Sequence, residues 1–119
     1  GRIDDGLSLF PDSVGLRVTR VEALLQAEQA RDALAATRRL THDQPDAPGI
    51  WALHARAASA ASDPDESALA MAHHYAVQGD LRAGLSQLRR VSDISATAGQ
   101  LSRADALRSR WEAQLDSAG

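Results

Sequence analysis

The chain has 119 residues, 44% of them hydrophobic and 24% charged, with a formal net charge of −3. This is the balance of a folded globular domain rather than a disordered segment, and the mild acidity argues against a nucleic-acid-binding surface. No apolar run approaches the roughly 20 residues of a membrane span, and the lack of cysteine excludes disulfides and thiolate metal sites.

The apolar content is mostly Ala and Leu, with Phe10, Trp51, Tyr75 and Trp111 as the aromatic residues. Ala and Leu are strong helix formers and β-branched residues are sparse, so an all-α chain is expected. Breaks in helical periodicity fall at "FPDS" (10–13), "AEQA" (27–30), "DQPDAP" (43–48), "SDPDE" (62–66), "QGD" (78–80) and "ATAGQ" (96–100). "AEQA" is the weakest of them, having neither Pro nor Gly.

Between the breaks the apolar spacing predicts six helices, over 14–27, 30–42, 48–62, 66–78, 81–95 and 100–117. Leu16, Val21, Leu24 and Leu25 form the stripe of the first, and Ala33, Leu34, Thr37 and Leu40 that of the second. Ile50, Trp51, Ala55 and Ala58 mark the third, and Ala68, Met71, Ala72 and Tyr75 the fourth. Leu81, Leu85, Leu88 and Val91 mark the fifth; Leu101, Ala104, Leu107, Trp111 and Leu115 mark the last. Arg38–Arg39 and Arg89–Arg90 suit the negative carbonyl ends of their helices.

The breaks repeat. "FPDSVGL" (10–16) is echoed by "QPDAPGI" (44–50), and Pro11, Pro45 and Gly79 are spaced 34 apart, with further breaks about halfway between. A second echo, "ALAATRRL" (33–40) against "GLSQLRRV" (84–91), has an offset of 51, or one and a half periods. Helix 66–78 therefore reads both as the second helix after Trp51 and as the first helix before "QGD". The expected architecture is a single domain, a right-handed α–α superhelix of about three antiparallel helix pairs.

A 34-residue helix–turn–helix period resembles the tetratricopeptide repeat (TPR). The run "ALAMAHHYAVQGDLRAGLSQLRRV" (68–91) is similar to one TPR motif, with Tyr75 at its aromatic position, Gly79–Asp80 at its inner turn and Gly84 at its small-residue position. Residues 14–45 give a second match through Leu24, Ala33 and Pro45, but lack the turn Gly and carry Arg17 where an aromatic is usual. The order "FPDS", "HHYAVQGDLRAGLSQLRRV", then "SRWEAQL" (109–115) resembles the C-terminal region of BepA-type zinc metallopeptidases of Gram-negative bacteria. That resemblance implies a periplasmic location, a role in quality control of outer-membrane protein assembly, and zinc only in a parent catalytic domain.

The chain itself carries no HExxH motif. His73 and His74 are adjacent, so on a helix they diverge by about 100° and cannot share an ion; His54 and His42 also lack a ligand at helical spacing. Surface or groove histidines are the expectation, with no catalytic residue, metal or cofactor in this chain. A Ser–His–Asp assembly lacks any nucleophile elbow. "SDPDE" lacks the spacing of a calcium loop and fits a Pro turn into an N-capped helix.

Function is then expected to lie in recognition of a protein or peptide on the inner face of the stack. Arg17, Glu22, Arg56, His73 and Arg90 are the candidate contacts. The chain has no lysine, so the Lys/Asn carboxylate clamp of some TPR proteins is absent. A weak homodimer through uncapped end helices is a further expectation. The rival readings are a stand-alone adaptor without a protease and a small helical enzyme or ligand-binding bundle with a closed pocket.

Overall fold

The computed structural model describes residues 13–118, so all but Ser13 of the turn expected at 10–13 lies outside the described residues. Six α-helices and no strand are found among the described residues: α1 (Val14–Gln26), α2 (Ala30–Asp43), α3 (Pro48–Ala60), α4 (Pro64–Ala76), α5 (Leu81–Leu88) and α6 (Ala98–Ala118). The all-α expectation holds. Among the described residues no helix is long and apolar enough to cross a membrane. The shape is a slab, 50 × 31 × 18 Å.

Helix starts follow the chemistry of the sequence. Ser13, Asp63 and Asp80 each accept the backbone N–H three residues on, and Pro48 and Pro64 occupy first-turn positions where a missing N–H costs nothing. Thr97 and Gln100 form a reciprocal capping box at the start of α6, each side chain accepting the other's backbone N–H.

Three helix ends share one device. At Glu28, Ser62 and Gly79 the backbone turns left-handed, with φ of 60°, 61° and 87°. The N–H of each and of the following residue close back on the preceding helix, as in Glu28 to Leu25 O and Gln29 to Leu24 O. This is the Schellman arrangement. The break at "AEQA" is thus real although Glu28, not Gly, holds the strained position.

The fifth and sixth helices differ from expectation. Helix α5 stops at Leu88 rather than 95, and α6 begins at Ala98 rather than 100. The cause is tertiary. Asp65, buried in the first turn of α4, accepts the Ser92 N–H at 2.8 Å and the Ser95 hydroxyl at 2.6 Å, which ties residues 92–95 down as a loop.

Consecutive helices pack throughout, but contacts between every second helix are uneven: α1 touches α3 and α4 touches α6. The apolar core divides in the same way. Val21, Leu34, Leu40, Ile50 and Leu53 belong to one cluster, from α1–α3; Leu69, Leu88, Ala104, Leu107 and Trp111 belong to another, from α4–α6. The described chain therefore has two three-helix units of apolar core, joined where α3 packs on α4. Among the described residues the large apolar side chain left exposed is Ile94, on the α5–α6 loop and not on an end helix.

Candidate functional site

Two surfaces of α3 and α4 must be distinguished. The first joins the two units. His54 of α3 is 2% exposed and Glu66 of α4 is 2% exposed. His54 Nδ1 lies 2.7 Å from the Thr37 hydroxyl of α2, and Nε2 lies 3.0 Å from Glu66 Oε2. A carboxylate only accepts, so Nε2 carries the proton of that bond. Glu66 Oε1 accepts a 2.6 Å bond from Arg103 and a longer one from the Gln100 amide, both on α6. Gln100 also donates to the Asp63 carboxylate.

Burial alone would raise the Glu66 carboxyl, but hydrogen bonds from His54 and Arg103, the charge of Arg103 and the Gln100 amide outweigh it and hold it well below the usual carboxylate range. The order Thr37–His54–Glu66 has the connectivity of a nucleophile–base–acid relay. The Thr37 hydroxyl, however, is fully buried and donates to the Leu34 carbonyl at 3.0 Å. As placed, it meets no substrate, and the relay reads as a structural bridge.

An aromatic stack reinforces the bridge. The His73 ring lies on Trp51 of α3, with centroids 4.1 Å apart and planes 11° apart, and meets Trp111 of α6 edge-on at 5.8 Å. Burial lowers the His73 pKa to about 4, helped by the charges of Arg110 and Arg103 and opposed by Glu66. His73 is neutral at pH 7. Trp51 Nε1 is fixed to the Pro45 carbonyl, and His74 Nδ1 to the Pro48 carbonyl.

The second surface is open. A hollow of about 420 Å³ between α1 and α3 is lined by Val18, Glu22, Gly49, Ile50, Ala52, Leu53 and Arg56. It shares Ala52 and Arg56 with a second, of about 570 Å³, that reaches Leu25, Ser59, Ser67 and Met71. Ser59, Ser67 and Met71 in turn line a third, of about 310 Å³, ending at Gln87 and Arg90. The three make one trough crossing α1, α3, α4 and α5. Its floor is small (Gly49, Ala52, Ala55, Ser59, Ser67), because helical spacing brings Ala52, Arg56 and Ser59 to one side of α3 and Ser67 and Met71 to one side of α4. That side lies more than a third of a turn from the His54 and His73 faces.

Of the sequence candidates, Glu22, Arg56 and Arg90 come together on the trough. Arg17 does not: it lies between α1 and α2, where its Nη1 contacts Asp43 Oδ2 at 2.9 Å. Nor does His73, which is enclosed between the two tryptophans. The expectation of surface or groove histidines also fails for His54, which is buried. The available signal was its place between Ile50 and Ala58 on the apolar stripe of α3, with Glu66 in the first turn of the next helix. The N-capped reading of "SDPDE" holds at Asp63, whose Oδ1 accepts the Glu66 N–H.

Among the described residues no group of three or more His, Asp or Glu side chains could hold a metal ion. No protein-family profile matches the chain, and neither a curated protein nor a solved structure shows significant similarity to it.

Proposed function

We propose that this chain is a non-catalytic helical-repeat interaction domain, TPR-like in its right-handed stacking of helix pairs, that receives a peptide segment of a protein partner in the trough across α1, α3, α4 and α5. The observation that carries this reading is the continuity of the three hollows through shared Ala52, Arg56, Ser59, Ser67 and Met71. Small side chains along a floor let a partner backbone approach closely. Glu22, Arg56 and Arg90 supply charges of both signs at its rim, which set register and orientation more than affinity. Peptide recognition in such a concavity needs no moving part.

The likeness to BepA-type proteases extends the proposal: the domain would be the partner-binding C-terminal part of a periplasmic zinc metallopeptidase acting in outer-membrane protein assembly. Reading the gene for HExxH and a signal peptide separates this from a stand-alone adaptor. Cross-linking in the cell envelope should capture assembly factors or unfolded outer-membrane substrates.

The trough itself is tested by selecting binding peptides from a random library and mapping them by amide chemical shifts. Shifts should concentrate on α1, α3 and α4 around Ala52 and Ser67. Ala52→Trp, which fills the floor, should weaken binding at least tenfold while leaving the far-UV spectrum unchanged. Peptides that map to the Trp51–His73–Trp111 side, or that bind Ala52→Trp as well as wild type, overturn the assignment.

A further inference from the structure

The trough carries charges that the fold leaves without partners. Glu22 of α1 and Arg56 of α3 line the same hollow of about 420 Å³, and neither makes a hydrogen bond or ion pair among the described residues. Both are exposed. Helical spacing does not supply a partner either: no acid stands three or four positions from Arg56, and no base at those positions from Glu22. Arg90, at the far end, is exposed and bonds the Gln87 amide oxygen at 3.4 Å, with no carboxylate on it among the described residues.

Helix dipoles do not account for the pair on the first hollow. Arg56 lies before the last turn of α3, and Glu22 lies beyond the first turn of α1. Along the three hollows two arginines face one acid, in a chain of net charge −3. Between the two arginines the floor is polar, where the Ser59 and Ser67 hydroxyls lie 2.9 Å apart. One of them donates to the other, so one hydroxyl proton remains without an acceptor among the described residues. It can serve a carbonyl of a bound chain.

We propose that the trough selects an extended acidic segment of a partner protein, with two carboxylate side chains about five or six residues apart for Arg56 and Arg90. A basic side chain about three residues outside the first carboxylate meets Glu22. This rests on the trough as the binding surface and names its ligand class. The spacing follows from helix packing. Helices α3 and α5 each pack on α4 and do not touch one another. The two arginines therefore stand two interhelical steps apart, about 16–20 Å, which an extended chain covers at about 3.3 Å per residue. Helices α1 and α3 face each other across one hollow, a single step of about 8–10 Å. An apolar side chain between the two carboxylates fits the hollow of Leu25, Ala55 and Met71. Carboxylates match guanidinium forks in geometry as well as charge. Exposed pairs of this kind discriminate between sequences more than they add affinity.

The test sorts a random peptide library against the full chain, resynthesises the enriched sequences and measures them by fluorescence anisotropy at low and high salt. Enriched peptides should be net negative, carry paired acidic residues at that spacing and bind more weakly as salt rises. Arg56→Gln and Arg90→Gln should each weaken binding about fivefold without changing thermal unfolding. Arg56→Glu should recover binding to a peptide whose facing acid is replaced by lysine. Ala52→Trp separates the two readings. Neutral or basic peptides that win the selection, yet lose binding to Ala52→Trp, overturn the acidic ligand and leave the trough standing. Equal binding by wild type and the Arg56→Gln/Arg90→Gln double variant does the same. No enriched peptide, or binding indifferent to Ala52→Trp, overturns both. Sedimentation that shows the chain paired with itself, and released by these peptides, makes a second copy the occupant and also overturns the proposal.

Discussion

Replacing His73 by Phe should remove a specific piece of the pH dependence of stability. The ring is pressed between Trp51 and Trp111, with Arg110 and Arg103 nearby, and its pKa lies at about 4 against an ordinary 6.5. When a histidine is held neutral by the fold, the unfolded chain binds its proton first. Stability from this group is therefore complete above about pH 6.5 and is lost as pH falls toward 4. Between pH 7.5 and 5 the two values correspond to a loss of about 2 kcal/mol. Phe keeps an aromatic ring against Trp51 but cannot be protonated. The assay is urea unfolding at intervals from pH 7.5 to 5, followed by far-UV circular dichroism so that loss of the Trp–His contact does not bias the signal. Wild type should lose about 2 kcal/mol more than His73→Phe across that window, whatever the offset between them at pH 7.5. The window stops at pH 5, before the Glu66 contribution begins to change, and His42, His54 and His74 are common to both proteins. If both proteins lose stability in parallel, His73 is not held neutral by the stack and the reasoning fails.

Three further outcomes follow from the same structure. Glu66→Gln leaves one acceptor oxygen facing donors from His54, Gln100 and Arg103, and should cost on the order of 3 kcal/mol at pH 7. Because the native carboxyl is held low, its contribution is present above about pH 4.3 and fades on further acidification, so the variant's unfolding midpoint should change less than wild type's from pH 5 to 2. Glu28→Gly and Ser62→Gly relieve left-handed backbone at 60° and 61°, and each should raise stability by about 1 kcal/mol in denaturant titrations. Gly84→Ala should do the opposite despite the better helix propensity of alanine: the added Cβ would stand 3.0 Å from the Ala72 carbonyl oxygen and 3.1 Å from the Trp111 ring. A net loss of about 1–3 kcal/mol, read as a fall in thermal midpoint, is expected.

What was legible in the sequence was what short-range chemistry controls. Apolar spacing and turn residues placed six helices, since stripes such as Val21–Leu24–Leu25 and Ala104–Leu107–Trp111 follow helical geometry alone. The end of α5 was not legible, because Ser92 and Ser95 continue a plausible helix until a carboxylate 27 and 30 residues earlier captures them. Glu22, Arg56 and Arg90 could be chosen as candidates because they are polar residues beside apolar stripes. Arg17 and His73 satisfy the same criterion, and only packing separates them. The sequence does not join His54 and Glu66 as a pair, because each has an adequate local explanation, one as a groove residue and the other as a favourable first-turn acid.

The half-period disagreement in the sequence has a physical counterpart. Schellman turns occur after α1, α3 and α4, whereas α2 and α5 end in longer connections that use other bonds. Two tight turns in succession therefore flank α4, and around it the every-second-helix contacts change from α1–α3 to α4–α6. A helix packed against α3, α5 and α6 has to bury most of its circumference, and α4 does so with Asp65, Glu66, Ala68, Leu69, Ala70 and Ala72. Its interface with α3 is rich in alanine, and alanine surfaces slide past one another with little change in buried area, so apolar packing alone specifies register weakly. Directional bonds do not slide. His54 to Glu66, Thr37 beside His54, and Arg103 and Gln100 to Glu66 can be made together in one register only. A buried ionic cluster contributes little net stability over an apolar core of the same size. Its value here is to fix how the two halves meet, and with that the line of Ala52, Arg56, Ser59, Ser67 and Met71 along which the trough runs.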